Sequence, residues 1–554
     1  MNVFRTELSK SFRGDVVDDS ESLEVASRDA SLFYVRPQVV VFPRDAKDLE
    51  VVVAAALAAR AAGEDISLTP RAAGTDMSGG PLSQSVVVDC MRYFTSVPEV
   101  GDGVASTEPG VFYRDFEKAT LEKGWLFPSY PASREIAAMG GIIANNAGGE
   151  KSLMYGKTAN FVRSIRAVLS DGNTYLLRKL SREELEAKKA LTGFEGKLYR
   201  EMHALLADNW KTISAARPHV SKNSTGYALW DAYDPSEGSI DLSKIFCGSQ
   251  GTLGFWTRAE LALIRPKTAH RTVVVLLDDL ARLGDLVNTL LLAKPESIES
   301  FDDKTVRVAL LYFGDIVKRL KGNLFTLAFQ FLPEFLAVLF GGMPKLIVVA
   351  EFTGETDAAA LAAANAAQES LRSLGYRTHV TRSERESEKF WVMRRESFSL
   401  LRKHTKHMRT APFIDDIVVP PRVLPEFLPK LYAILDLYKA KMVYTIAGHV
   451  GDGNFHIIPL MDLLAPGAGE VIREMSGKVY DLVFSYGGSM SGEHNDGLVR
   501  TPFLRQMYGE KMYGLFASTK QIFDPNNLFN PRKKIVKSAE EAEKYALAHL
   551  DTKV

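Results

Sequence analysis

Three glycine-rich segments in the first half of the chain limit its possible folds more than any other feature. Their sequences are PRAAGTDMSGG at 70–80, GGIIANNAGGEKSLMYG at 140–156 and GSQGTLG at 248–254. A backbone without bulky side chains approaches a ligand closely, and consecutive N–H groups of such a loop can cradle a pyrophosphate. The first segment lacks the spacing GxGxxG, and no helix pattern begins directly after it. The chain therefore fits a Rossmann dinucleotide site poorly.

The sequence around these segments alternates between strand and helix patterns. VVVF is followed by a helix that Asp45 can cap and that ends before Gly63, and strands follow in DISLTPR and SVVVDC. This succession predicts an α/β unit, and Asp171-Gly172 marks the turn of a hairpin. We predict a helical extension at 1–36 and three further units at 37–266, 267–466 and 467–554, the last of them helical.

Composition excludes several classes of function. Lys+Arg and Asp+Glu both number 68, so no global field draws the chain to nucleic acid. Two cysteines, Cys90 and Cys247, cannot bind an iron–sulfur cluster or form a disulfide framework. The N-terminus has no apolar run of the secretory kind, which predicts a cytoplasmic protein.

An apolar segment at 323–344, NLFTLAFQFLPEFLAVLFGGMP, stands apart from the rest. Pro333 and Glu334 interrupt it, and a spanning helix needs about 20 apolar residues. Three interpretations remain open. The segment is a buried helical hairpin or subunit contact, a peripheral membrane or partner surface, or a true span, which the interruptions disfavour.

The three glycine-rich segments, in this order, resemble the FAD-binding domain of the vanillyl-alcohol oxidase and p-cresol methylhydroxylase superfamily. The resemblance implies an α+β protein with two α/β subdomains that bind FAD, an α/β cap domain with an antiparallel sheet, and a C-terminal helical segment. It implies a set of FAD-contacting residues from all three segments and from one preceding proline. These residues are Arg71, Ala72, Ala73, Gly74, Thr75, Asp76, Pro131, Gly140, Gly141, Asn145, Gly148, Gly149, Gly251, Thr252 and Gly254.

This sequence departs from the family pattern at three points. Ala72 and Ala73 replace central glycines, and Gln250 replaces the usual glutamate. The two alanines and Gln250 are tolerable where the backbone makes most of the contacts with the ligand. No histidine occurs in the first segment, where covalently flavinylated members of the family carry one. The expected FAD is therefore non-covalent.

Two short motifs in the second half concentrate histidine, of which the chain has ten. AGHVGDGNFH contains His449 and His456, and SGEHNDG contains Glu493 and His494. Two imidazoles and a carboxylate suit zinc or manganese, and a further imidazole would then be available for proton transfer. The alternative is that these are polar residues of glycine turns packed under a cap domain.

The same motifs resemble the C-terminal domain of FAD-linked D-lactate and D-2-hydroxyglutarate dehydrogenases, and the resemblance runs from about residue 36 to 535. It implies that His449, His456 and Glu493 bind a divalent metal and that His494 is the base. It also places Asn530, in FDPNNLFNPRK, near the flavin.

In FWVMRRES, Arg394 stands where the family binds the substrate carboxylate, and Arg395 is the nearby competitor. The alternative is a solvated arginine on a helix face. A lysine that D-2-hydroxyglutarate enzymes carry corresponds to Ile414 here. Contact with a second substrate carboxylate would then require Lys406 or Arg409.

These features predict metal-assisted oxidation of a small D-2-hydroxy acid, with electrons passed from FAD to an external quinone, cytochrome or electron-transfer flavoprotein. Three alternatives remain open: an oxygen-using oxidase, a transferase of the alkyl-glycerone-phosphate synthase type, and a non-catalytic flavoprotein subunit. The transferase has a histidine-rich run that is absent here. A non-catalytic subunit should lack the metal and base residues, which this chain keeps.

Overall fold

The computed structural model describes residues 1–311, 343–383, 386–388, 390–394 and 408–552. The predicted apolar segment therefore lies, up to residue 342, outside the described residues. Among the described residues, no helix is both long and apolar enough to cross a membrane. The described residues form four sheets with their helices, and the chain visits the sheets largely in sequence order.

The first sheet is small and carries the first glycine-rich segment. Its strands lie in the order Asp15–Val17, Val39–Phe42, Val86–Asp89 and Leu68–Arg71, and the last three are mutually parallel. Their valines are buried on both sides, as parallel strands require. The adjacent helices are Asn2–Leu8, Ser20–Ala26 and Ala46–Ala61. Asp45 caps the last of these by accepting the Asp48 N–H, as predicted.

The second sheet has seven antiparallel strands. Their order is Glu99–Val100, Val104–Thr107, Phe255–Ala262, Val162–Val168, Thr174–Leu180, Ser239–Asp241 and Tyr233–Asp234. The predicted hairpin at Asp171-Gly172 joins the fourth and fifth of these. The accompanying helices are Tyr113–Leu121, Met139–Ala144, Ser152–Tyr155, Arg182–Ala190, Gly193–Asp208, Trp210–Ala215 and Ser243–Phe246.

The third sheet is also seven-stranded and antiparallel. Its order is Arg377–Val380, Ala269–Leu277, Leu346–Gly354, Ser297–Asp302, Ile446–His449, Asn454–Ile457 and Ile417–Val418. A three-stranded sheet of Arg409–Thr410, Leu460–Met461 and Met442–Val443 lies beside it. The helices here are Leu283–Leu292, Asp303–Leu311, Asp357–Ser373 and Leu424–Asp436. The register pairs Ala447 with His456 and His449 with Asn454, which brings the two histidines onto neighbouring strands.

The C-terminal part is helical and returns to the first domain. Its helices are Ala468–Ser485, Gly497–Arg500, Leu504–Phe523 and Ala539–Ala548. The Asn530 N–H donates to the Leu68 carbonyl, which joins the chain end to the first sheet. The α+β architecture predicted from the sequence is confirmed. The predicted boundary at 266/267 falls between the strands Phe255–Ala262 and Ala269–Leu277, and the exact domain limits stay a prediction.

Candidate active site

One cavity of about 700 Å³ connects the glycine-rich segments with the histidine motifs. Its volume is in the range of cofactor and ligand sites. The fold brings together nearly all of the residues that the sequence singled out. The cavity is lined by Arg71, Ala72, Ala73, Gly74, Thr75, Asp76, Pro131, Gly140, Gly141, Asn145, Gly148, Gly251, Gly254, Arg394, His449, His456, Glu493 and His494.

Three of the predicted FAD contacts, Gly149, Thr252 and Asn530, are not among the described residues that line the cavity. A Cβ on Gly149 would lie 2.1 Å from the Tyr130 carbonyl oxygen, so glycine permits close packing there. The Thr252 hydroxyl donates to the Ser249 carbonyl. The Asn530 amide donates to the carbonyls of Gly80 and Gln250. Asn530 therefore joins the first and third glycine-rich segments.

The side chains of Arg71 and Asp76 also have structural partners. Arg71 donates to the Val25 and Arg28 carbonyls at 3.3 and 2.7 Å. Asp76 accepts from the Ser78 and Gly80 N–H groups, and its other oxygen accepts from the Asn145 amide. Both residues also line the cavity, and their predicted contact with the pyrophosphate stays a prediction. Both side chains shape the loop, and the backbone of 72–75 is left to contact a ligand.

The second glycine-rich segment leaves open space for a bulky ligand beside Gly141. A Cβ built on Gly141 meets no atom within 4 Å, although the residue lies in the helix Met139–Ala144. Its neighbour Gly140 is packed instead, because a Cβ there would lie 2.7 Å from the Pro109 carbonyl oxygen. The wall at Gly141 is thus flat and backbone-like, which suits a planar ring system. The cavity fits FAD in size and in the character of this wall.

His449 is held between two carboxylates at the far end of the cavity. Its Nδ1 lies 2.5 Å from Glu299 Oε1, and its Nε2 lies 3.3 Å from Glu493 Oε1. The residue is 4% exposed at the end of the strand Ile446–His449. Burial, followed by the nearby Lys222, lowers the pKa of His449 well below its usual value. The ring is therefore neutral, which is the form that binds a metal.

His456 and His494 share one carboxylate. Asp415 Oδ1 lies 3.2 Å from His456 Nδ1, and Asp415 Oδ2 lies 2.7 Å from His494 Nδ1. The two imidazoles stack with their centroids 5.2 Å apart. Burial opposes a charge on His494, but Asp416 and Asp415 outweigh it and raise the pKa of His494 to about 9.

Glu493 and His494 are adjacent in sequence and both face the cavity. A regular strand would send them to opposite sides. The loop is irregular instead, with Asn495 and Gly497 at φ of 67° and 51°. Asp416 stabilises this loop by accepting the N–H groups of Glu493 and His494 at 2.8 and 2.7 Å.

Lys222 is the main charged partner of Glu493. Its Nζ lies 2.6 Å from Glu493 Oε1 and 3.1 Å from Asp452 Oδ2, and its side chain is 1% exposed. Burial alone would raise the pKa of Glu493, but the neighbouring groups, chiefly the Lys222 ammonium, together outweigh it and lower that pKa to about 2. Glu493 is therefore ionised and ready to bind a cation.

Arg394 reaches the same cavity from a short helical segment. Its Nε donates to Glu299 Oε2 at 2.7 Å, so the guanidinium and His449 share this glutamate. The alternative of a solvated arginine is wrong, because the side chain is 11% exposed. Ile414 is fully buried. Arg409 pairs with Asp551 at 2.8 Å and is not among the described residues that line the cavity, while Lys406 and Arg395 lie outside the described residues.

Sequence reasoning missed three charged residues of this site: Lys222, Glu299 and Asp415. Lys222 lies in KNSTGYAL, and Asp415 lies in FIDDIVVPP. A charged residue within a run of apolar or small residues was the signal that could have identified them. Glu299 lies in the strand Ser297–Asp302, where all six residues are buried. A buried charge requires a partner, but the sequence does not indicate which one.

Two family models match the chain. Residues 37–178 match the FAD binding domain, and residues 266–534 match the C-terminal domain of FAD linked oxidases. The chain therefore contains regions similar to both of these domains.

Individual relatives are similar over nearly the whole chain. The chain is 30% identical over 532 residues to a D-2-hydroxyglutarate dehydrogenase of Pseudomonas putida, covering 94% of this chain and 50% of that protein. It thus spans about half the length of this relative. It is 25% identical to a D-lactate dehydrogenase of Archaeoglobus fulgidus, covering 90% of this chain and 91% of the relative.

A solved structure has the same fold. The 4-ethylphenol oxidase from Gulosibacter chungangensis superposes with a TM-score of 0.66 at 16% identity, and the match covers 98% of both chains. This likeness concerns the fold alone.

Proposed function

We propose that this chain oxidises a small D-2-hydroxy acid to the 2-oxo acid, with non-covalent FAD and a divalent metal. One observation carries the proposal: a single cavity joins the glycine-rich segments to Arg394, His449, Glu493 and His494. The relatives named for D-2-hydroxyglutarate and D-lactate support this substrate class. When bound, FAD supplies the redox chemistry by accepting hydride from the substrate α-carbon.

His449, His456 and Glu493 would hold the metal, which we propose to be zinc or manganese. Their ligand atoms lie within 4.8 Å of one another. Both histidines have a carboxylate at Nδ1, the arrangement that usually accompanies a metal-bound imidazole. A divalent cation supplies electrostatic activation of a hydroxyl group and orients it.

His494 would remove the hydroxyl proton as general base. Its Nδ1 faces Asp415, which orients the ring and stabilises the imidazolium that forms. The pKa of about 9 means that the imidazole carries a proton at neutral pH before any cation is bound. A cation bound by His449, His456 and Glu493 would disfavour the positive charge on His494. It would therefore favour the neutral imidazole, which can accept a proton.

Arg394 would bind the substrate carboxylate through its planar guanidinium. We expect Arg394→Ala to raise KM by roughly 10–10²-fold, because a hydrogen bond to a charged group is worth about 1.5–3 kcal/mol. The kcat value should change less, since such a clamp holds ground state and transition state alike. Steady-state kinetics measure both. Arg395→Ala is the matched control, and a larger KM effect in that variant would transfer the role to Arg395.

Reoxidation of the flavin would use an external acceptor, a quinone, a cytochrome or an electron-transfer flavoprotein. The experiment that tests the proposed function is anaerobic flavin bleaching with D-lactate, D-2-hydroxyglutarate, D-malate and glycolate, and then turnover with a dye acceptor. L-Lactate is the stereochemical control. A peroxide assay in air distinguishes an oxidase. If none of the acids bleaches the flavin, the remaining interpretation is a non-catalytic flavoprotein subunit.

The chain would be cytoplasmic, with the apolar segment 323–344 as a contact to a membrane or a protein partner. The proposal rests on the apolar sequence of this segment, because exposed apolar patches usually mark interaction sites. We expect the wild type to sediment with liposomes and the Leu332→Glu, Leu339→Glu variant to stay in solution. The matched control is Leu292→Glu, Leu437→Glu, at leucines that are 85% and 69% exposed. Negligible sedimentation of the wild type would exclude the membrane contact.

A further inference from the structure

Asp415 lies between a proposed metal ligand and the proposed base. It is fully buried, and its two carboxylate oxygens each contact a different imidazole, His456 at 3.2 Å and His494 at 2.7 Å. We propose that Asp415 is a positioning residue that fixes a metal ligand and the catalytic base with one carboxylate. The inference rests on the proposed function, because it takes His456 as ligand and His494 as base.

The backbone around Asp415 is held firmly enough for this role. The Asp415 carbonyl accepts from Arg500 Nη2 at 2.6 Å. The same guanidinium donates to the carbonyls of Met490 and Asn495, on either side of Glu493 and His494. Arg500 is fully buried. It therefore joins the segment that carries the carboxylate to the loop that carries the base.

Contact at Nδ1 determines what each ring presents to the cavity. An imidazole has two nitrogens, and a carboxylate at Nδ1 directs the other nitrogen away from itself. His456 and His494 both line the cavity, so this second nitrogen is the one available to a metal or a substrate proton. His449 achieves the same arrangement with a separate carboxylate, Glu299. The shared use of Asp415 thus links one metal ligand to the base, while the other histidine ligand is independent.

The test is Asp415→Asn, which keeps the shape and one acceptor oxygen but can no longer offer a carboxylate oxygen to each ring. We expect Co²⁺ affinity to fall roughly 10–100-fold, the usual effect of removing such a partner. The visible spectrum of the Co²⁺-loaded protein should change, because the orientation of His456 changes. Flavin reduction by substrate at saturating Co²⁺ should remain slowed, because His494 is misplaced as well.

The matched control is Asp302→Asn, at the end of the strand Ser297–Asp302. Asp302 is fully buried and accepts the Ile446 N–H at 3.1 Å, but it is not among the described residues that line the cavity. This variant should keep the wild-type Co²⁺ affinity and spectrum. The FAD content of both variants reports correct folding, because the glycine-rich segments do not contain Asp415.

Wild-type Co²⁺ affinity and spectrum in Asp415→Asn would overturn the inference. Loss of FAD together with Co²⁺ would also overturn it, because Asp415 would then be a structural residue only. The metal readouts need no substrate. A wild-type protein that binds Co²⁺ but reduces no flavin therefore contradicts the proposed function, and still leaves the positioning of His456 to be decided by the spectrum.

Discussion

Replacing His494 with Ala should slow flavin reduction by roughly 10²–10⁴-fold, which is the usual contribution of a positioned general base. The bound metal should stay. His494 Nδ1 contacts Asp415, and the proposed ligand set of His449, His456 and Glu493 does not require His494. Stopped-flow absorbance measures the rate of reduction, and elemental analysis measures the metal.

His449→Ala should behave differently and lose metal and activity together. His449 lies between Glu299 and Glu493, so its removal deletes one of the three proposed ligands. His219→Ala, at an exposed histidine, is the matched control and should resemble the wild type. If His494→Ala loses as much metal as His449→Ala, His494 is a ligand and the base lies elsewhere.

Gly141→Leu should yield a protein that is purified with little or no FAD. The new side chain projects into the cavity, where a Cβ meets no protein atom within 4 Å. Overpacking costs about 1–3 kcal/mol, which corresponds to roughly 10–10²-fold weaker FAD binding. The wild type should be yellow and should release all of its flavin as FAD on acid precipitation. Titration of FAD into both apoproteins measures the difference.

Gly514→Leu is the matched control for this substitution. Gly514 is an exposed glycine in the helix Leu504–Phe523, and a Cβ there also meets no atom within 4 Å. Leucine has a higher helix propensity than glycine by roughly 0.8–1 kcal/mol, so neither variant should be destabilised by the backbone. Equal FAD affinity in Gly141→Leu and the wild type would mean that the flavin does not contact this wall. Flavin that stays with the precipitated wild-type protein would contradict the non-covalent assignment.

Local patterns in the sequence were sufficient for individual helices, strands and turns. Alternating strand and helix patterns, the Asp45 cap and the turn at Asp171-Gly172 depend on neighbouring residues, and the structure has each of them where the sequence predicts it. The glycine-rich segments also required glycine or a small residue for local reasons, such as the close packing of Gly140 on Pro109. All three segments line one cavity, as the resemblance based on their order along the chain implied.

The sequence could not show which charged residues pair with each other in the folded protein. Glu299 is 150 residues from His449, and Lys222 is 271 residues from Glu493, yet both pairs are in contact. Burial makes such contacts strong, because a charge removed from water must find a partner within the protein. That partner is chosen by strand register and loop packing across three sheets. The sequence by itself determined which histidines, glutamate and arginine to propose for the chemistry. Only the tertiary structure decided that Asp415 is shared by His456 and His494 and that Arg71 and Asp76 support the loop.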